Sequence, residues 1–82
     1  MKARVYVSLK STVLDPQGQA IRAALAGLGY TGISDVRQGK FFDLAIADGM
    51  NREQAQKDVE TIAHEVLANP VIEEYRVEFL DS

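Results

Sequence analysis

The stretch from Ile33 to Asp48, ISDVRQGKFFDLAIAD, is the longest run of the chain that reads as strand, and a helical pattern lies on either side of it. A strand placed between two helices in a short chain has to join a sheet on which both helices can lie, so this stretch is the expected middle of the fold. Gly39 divides it. If Gln38-Gly39 is a two-residue hairpin corner, Val36 pairs with Phe41 and Ile33 with Leu44. If Gly39 is instead a bend in one long strand, Val36, Phe42, Leu44 and Ile46 share one face, and Arg37, Phe41, Asp43, Ala45 and Ala47 share the other. The parity of the apolar residues favours the long, bent strand.

Two further strands follow from strict alternation. Ala3, Val5, Val7 and Leu9 alternate with Arg4, Tyr6, Ser8 and Lys10, and Tyr75, Val77 and Phe79 alternate with Glu74, Arg76 and Glu78. Period two with one apolar face is the pattern of a half-buried strand.

The intervening segments carry helix punctuation. Asp15 caps and Pro16 suits the first helical position, Ile21, Leu25 and Leu28 form a stripe beside Ala24, and Gly29 supplies a left-handed stop against which Tyr30 can fold back. Gly18 and Gly27 each weaken that helix by roughly 1 kcal/mol relative to alanine, which argues for close packing there. Asn51 and Gln54 have capping-box spacing. Ala55, Val59, Ile62, Ala63, Val66 and Leu67 then line one helix face, until Asn69-Pro70 ends it with Asn69 in the left-handed region.

The order strand, helix, strand, helix, strand predicts a single α+β domain over residues 1–82. It is an antiparallel sheet with two helices packed on one face, ferredoxin-like or a close variant, with a long bent central strand. The face away from the helices displays Arg4, Tyr6, Ser8, Arg37, Phe41, Asp43, Glu74, Arg76 and Glu78, mixed enough to be an interface.

Composition narrows the function by exclusion. The chain has 82 residues, no cysteine and a formal net charge of -3, so disulfides and thiolate metal sites are ruled out and a basic nucleic-acid footprint is missing. No apolar run is long enough for a signal peptide or a membrane span, and a cytoplasmic location is expected.

Catalytic groups are equally scarce. His64, the single histidine, falls away from the apolar stripe of its helix. Ser8, Ser11 and Thr12 have no base nearby in sequence, and Glu74 and Glu78 alternate with Arg76 as paired surface charges do. Asp15-Pro16-Gln17-Gly18 opens a helix but lacks the phosphate-loop pattern. Arg37 and Lys40 flank Gly39, where two cations suit an acidic partner or an exposed turn. The residues alone describe a small non-catalytic domain built for contact.

Val13-Leu14-Asp15-Pro16-Gln17-Gly18, Leu28-Gly29-Tyr30, Val36-Arg37-Gln38-Gly39-Lys40 and Leu67-Ala68-Asn69-Pro70-Val71-Ile72-Glu73-Glu74-Tyr75-Arg76-Val77-Glu78 occur in this order over nearly the whole chain. Together they resemble the PurS family, the small subunit of phosphoribosylformylglycinamidine (FGAM) synthase. The resemblance implies a non-catalytic subunit of purine biosynthesis that bridges a PurQ-type glutaminase and a PurL-type synthetase, forms a homodimer or higher self-assembly, and helps guide ammonia between its partners. It implies no catalytic, cofactor-binding or metal residue in this chain, the ATP and Mg being used by the synthetase.

Partner contacts are expected at Arg37, Gly39, Lys40, Phe41, Asn69 and Pro70. The competing reading is an ACT-like small-molecule-binding regulatory module, with Ser11 to Gly18 as its ligand loop. An acylphosphatase-type enzyme would need an arginine-bearing loop where Lys10-Ser11-Thr12-Val13-Leu14 stands, and RNA recognition would need paired aromatics on the central strands.

Overall fold

The alternating segment Lys2–Leu9 forms β1, and it takes the centre of the sheet. In the computed structural model, which describes residues 1–80, it pairs antiparallel on one side with β2 (Gly39–Ala45) and on the other with β3 (Glu73–Leu80). The register sets Val5 between Phe42 and Val77, and Tyr6 between Phe41 and Arg76. One face therefore carries Ala3, Val5 and Val7 with their apolar neighbours, and the other carries Arg4, Tyr6 and Ser8. The α+β class, the antiparallel sheet and the two helices are as the sequence predicts.

The stretch from Ile33 to Asp48 supplies an edge strand and not the middle one. Its strand begins at Gly39, so there is neither one long strand through Gly39 nor a hairpin at Gln38-Gly39. Residues 36–38 are committed elsewhere, to the start of the first helix. Gly39 itself lies flat against β1, where a Cβ would come within 2.9 Å of the Val7 carbonyl oxygen. Parity of side chains could not reveal this, because a non-strand segment can continue the same alternation without any ladder partner.

The second helix, α2 (Arg52–Ile62), covers the apolar face. Val59 packs with Ala63 and Ala68 onto Ala3, Val5 and Val7, Ala55 is buried as well, and these small or β-branched side chains let helix and sheet approach closely. Asn51 caps α2 by accepting hydrogen bonds from the Glu53 and Gln54 amides at 2.8 and 3.4 Å. The expected reciprocal half of a capping box does not form, since the Gln54 side chain turns forward to Asp58.

Beyond Ile62 the helix widens into a π-helical turn, Ala63–Leu67. The wider turn rotates the stripe, so Ala68 is buried while Val66 points to solvent, against the 3.6-residue expectation. Asn69 is not left-handed, because among the described residues only glycines have positive φ. It works through its side chain instead, accepting from the Val71 amide at 3.1 Å, while its carbonyl accepts from Ile72 and Glu73.

The first helix, α1 (Pro16–Gly27), departs most from expectation. Its caps are as predicted: Asp15 starts it and Gly29 at φ 98° ends it, but Tyr30 folds back through its amide, which donates to the Leu25 carbonyl at 2.9 Å, and its ring is exposed. It does not lie on the sheet beside α2. Its buried residue is Gly18 in the first turn, and Ile21 and Leu28 of its apolar stripe are exposed at 43% and 73%. The chain consequently measures 52 × 29 × 13 Å with a radius of gyration of 16.4 Å, against about 12 Å for a compact chain of this length. Phe42, Leu44, Tyr75, Val77 and Phe79 are left only partly covered, since a single helix cannot span the sheet.

Candidate functional site

Three of the segments singled out in the sequence meet at one end of the sheet. The turn that leaves β1 is closed by the Val13 amide donating to the Lys10 carbonyl at 2.9 Å, and the Lys10 amide donates to the Ile72 carbonyl at 2.9 Å. That second bond ties the turn to the Asn69-Pro70 corner. Residues 36–38 then pass across the turn. Arg37 donates through Nη2 to the carbonyls of Lys10 at 2.8 Å and Val13 at 2.9 Å.

Asp15 completes the crossing. One of its carboxylate oxygens accepts from the Gly18 amide at 3.0 Å, the ordinary N-cap bond, and the other accepts from the Gln38 amide at 2.7 Å. The side chain is buried, yet both oxygens are satisfied. Those amides, Gln38 before Gly18, with the nearby Arg37 guanidinium, hold its carboxyl below the usual carboxylate range. Gly18 belongs to the same knot, because an added Cβ would stand 2.1 Å from the Val36 carbonyl oxygen. The sequence marks Asp15 as a cap and Gly18 as a weak point in a helix. Their shared role in holding residues 36–38 was not legible, although the D-P-Q-G spacing was its signal.

The acid limb of stability follows from this carboxylate. The folded-state pKa of Asp15 is depressed below the ordinary 3.8, so its contribution is complete above about pH 4 and is lost as pH falls through the folded value. Thermal melts between pH 7 and pH 2.5 are expected to separate the parent chain from Asp15→Asn at neutral pH and to bring them together in acid. Parallel curves would refute the linkage. Asp43, lowered by its bond to Arg4, titrates in the same direction in both proteins and does not alter the comparison.

The expected contact residues do not form one patch. Arg37 is engaged with its own chain. Gly39 lies against Val7, and Lys40 falls opposite Val7 with its Nζ 5.7 Å from the Phe42 ring centroid. Phe41 points to the opposite face, where it is 56% exposed. There the Arg4 guanidinium lies 4.6 Å from the Phe41 ring and Arg76 lies 4.2 Å from the Tyr6 ring. Arg4 is also paired with Asp43 at 2.7 Å, an ion pair that raises the arginine and lowers the carboxyl. Asn69 and Pro70 are exposed at the knotted end, with Glu73 accepting from the Asn69 amide at 2.8 Å.

None of this assembles a catalytic group. His64 is exposed with its ring edge-on to Tyr75 at 6.1 Å, and Glu78 is bonded to Arg76 at 3.3 Å. Among the described residues no His, Cys, Asp and Glu cluster is disposed to hold a metal ion, and no helix is long and apolar enough to cross a membrane. The depression beside Asp15, Gln38 and Lys40 has about 250 Å³, small beside the roughly 300–1,000 Å³ of ligand pockets. A larger apolar groove of about 410 Å³ runs between the end of β2 and α2, past Leu44, Ile46, Met50, Val59 and Ile62. The arrangement therefore presents the exposed stripe of α1, an apolar groove beside α2 and a mixed open face.

Comparison with known proteins agrees with that character. The family model described as PurS, phosphoribosylformylglycinamidine (FGAM) synthase, matches residues 2–81. The chain is 50% identical over 76 residues to the phosphoribosylformylglycinamidine synthase subunit PurS of Mycobacterium leprae, covering 93% of this chain and 91% of that one. It is 44% identical over 81 residues to the corresponding subunit of Bacillus subtilis, covering 94% and 89%.

Among solved structures, a chain of PurLQS from Thermotoga maritima superposes with a TM-score of 0.85 at 34% identity, over 96% of this chain and 95% of that one. PurS of Bacillus subtilis in its C2 crystal form superposes with a TM-score of 0.79 at 44% identity, over 94% of both chains.

Proposed function

The chain belongs to the PurS family of FGAM synthase subunits, and from that premise we propose that it acts as the bridge between a PurQ-type glutaminase and a PurL-type synthetase in the cytoplasm. The reaction served joins formylglycinamide ribonucleotide, glutamine, ATP and water to give formylglycinamidine ribonucleotide, glutamate, ADP and phosphate. The glutaminase frees ammonia, and the synthetase adds it to an amide activated by ATP with Mg. This chain contributes no reacting group and needs no cofactor. It holds the two catalytic subunits in register and shares in guiding ammonia between them.

The observation that carries this reading is the match, along nearly its whole length, to a chain of the PurLQS structure from Thermotoga maritima. The surfaces support it in physical terms. The stripe of α1 and the groove beside α2 are the complementary halves of a contact between two copies, each supplying the helix that the other's sheet lacks. The open face, with Arg4, Tyr6, Phe41 and Arg76, has the aromatic and arginine composition of interfaces between separately folded proteins. Lys40, Phe41 and the Asn69-Pro70 corner meet the catalytic subunits, while Arg37 and Gly39 shape the backbone that presents them. The ACT-like alternative is not favoured, since Asp15 and Arg37 already occupy the loop it would use.

Omitting the chain from a mixture of the glutaminase and the synthetase tests the proposal. Glutamine-dependent synthesis is expected to collapse at least tenfold, with synthesis from added ammonium salts retained. Equal rates from glutamine with and without the chain would refute it.

A further inference from the structure

We propose that Arg37 is a positioning residue: with Asp15 it sets the direction in which α1 leaves the sheet, and through that direction the geometry of assembly. The inference rests on the bridging role above. Three hydrogen bonds from two donor groups pin the turn before α1 to residues 36–38, from the Arg37 guanidinium to Lys10 and Val13 and from the Gln38 amide to Asp15. Gly18 allows the Val36 carbonyl to close against the first helical turn. Past that turn α1 has no bed on its own chain: its remaining residues are exposed or half-buried, and Gly27 has nothing within 4 Å of where its Cβ would be. Within its own chain the orientation of the helix is therefore determined at its base.

Leverage makes that base consequential. Twelve residues at 1.5 Å each extend about 18 Å, so a tilt of about 10° at the knot moves the tip by about 3 Å. Arginine suits the place because its planar guanidinium reaches two carbonyls from an exposed position, with little burial to offset. Its bonds are those of a strut and not those of a partner-facing cation.

The chain's lack of cysteine makes a clean measurement possible. Spin labels at Ala26→Cys on the outer side of α1 and at Gln56→Cys on α2, diluted with unlabelled protein, report the angle between the helices by electron–electron distance. The parent chain is expected to give one narrow distance. Arg37→Met is expected to broaden or displace it by 3 Å or more and to lower glutamine-dependent synthesis at least threefold, with ammonia-dependent synthesis and the melting of the sheet retained. Arg37→Lys is expected to recover most of both effects, and Arg22→Met, a charge loss on α1 away from the knot, to cause neither.

A distance distribution unchanged in Arg37→Met overturns the proposal, whatever the reconstituted enzyme does. The same shift in Arg22→Met overturns it as well. A shift confined to Arg37→Met with undiminished glutamine-dependent synthesis upholds the positioning role on the chain and counts against the bridging reading.

Discussion

Gly18→Ala is expected to lower the melting temperature of the chain and Gly27→Ala to raise it, although both replace a helical glycine by the best helix former. In an open helix alanine gains about 0.5–1 kcal/mol over glycine, much of it by restricting the unfolded chain. Nothing lies within 4 Å of the position a Cβ would take at Gly27, so that gain is expected there in full. At Gly18 the new methyl group meets the Val36 carbonyl oxygen at 2.1 Å and an Asp15 carboxylate oxygen at 2.9 Å. Neither atom is the free end of a flexible side chain, so the helix start and residues 36–38 have to separate. Overpacking of this kind costs about 1–3 kcal/mol, more than the propensity gain.

For a domain of this size the net change corresponds to a fall of roughly 5–15 °C at Gly18 and a rise of a few degrees at Gly27. Calorimetry at matched chain concentration measures both. Equal shifts of the same sign would mean that the crossing of α1 with residues 36–38 does not exist in solution.

The second large effect concerns association. Ile21 and Leu28 stand on a helix that its own sheet leaves uncovered, and the occupant proposed for them is a second copy. Burying such side chains contributes about 1.5–3 kcal/mol each and each copy loses two of them, so Ile21→Asp with Leu28→Asp should weaken pairing by at least about a hundredfold. Sedimentation at micromolar concentration is expected to show a dimer or larger for the parent and a monomer for the double variant, with the signal of β1, β2 and β3 retained. A monomeric parent would remove the basis of the pairing, and an unchanged mass for the variant would place it on another surface.

Most of the local structure was legible because it depends on neighbours in sequence. The caps at Asp15 and Asn51, the stop at Gly29, the inward run Ala3, Val5, Val7 and the outward run Glu74, Arg76, Glu78 all follow from periodicity and from backbone groups a few residues away. Reading failed where an interaction spans the chain. Arg37 looked like a free cation because the carbonyls it bonds lie 27 and 24 residues away. Val66 looked buried because a π turn leaves no mark in a 3.6-residue stripe. Of the expected contact residues, Lys40 and Phe41, adjacent in β2, necessarily face opposite sides of the sheet.

By itself, then, the sequence determined the order of the elements, the two faces of β1 and β3, the lack of cysteine and of any phosphate loop, and a resemblance strong enough to name a family. Periodicity and capping are local, and a motif is read without coordinates. Only the tertiary structure decided that β1 is the central strand, that the strand of residues 33–48 begins at Gly39, and that α1 is held by one knot and stands clear of the sheet. An apolar stripe records that a helix must be covered. It does not record whether the cover belongs to the same chain, because burial is favourable by area and is indifferent to connectivity.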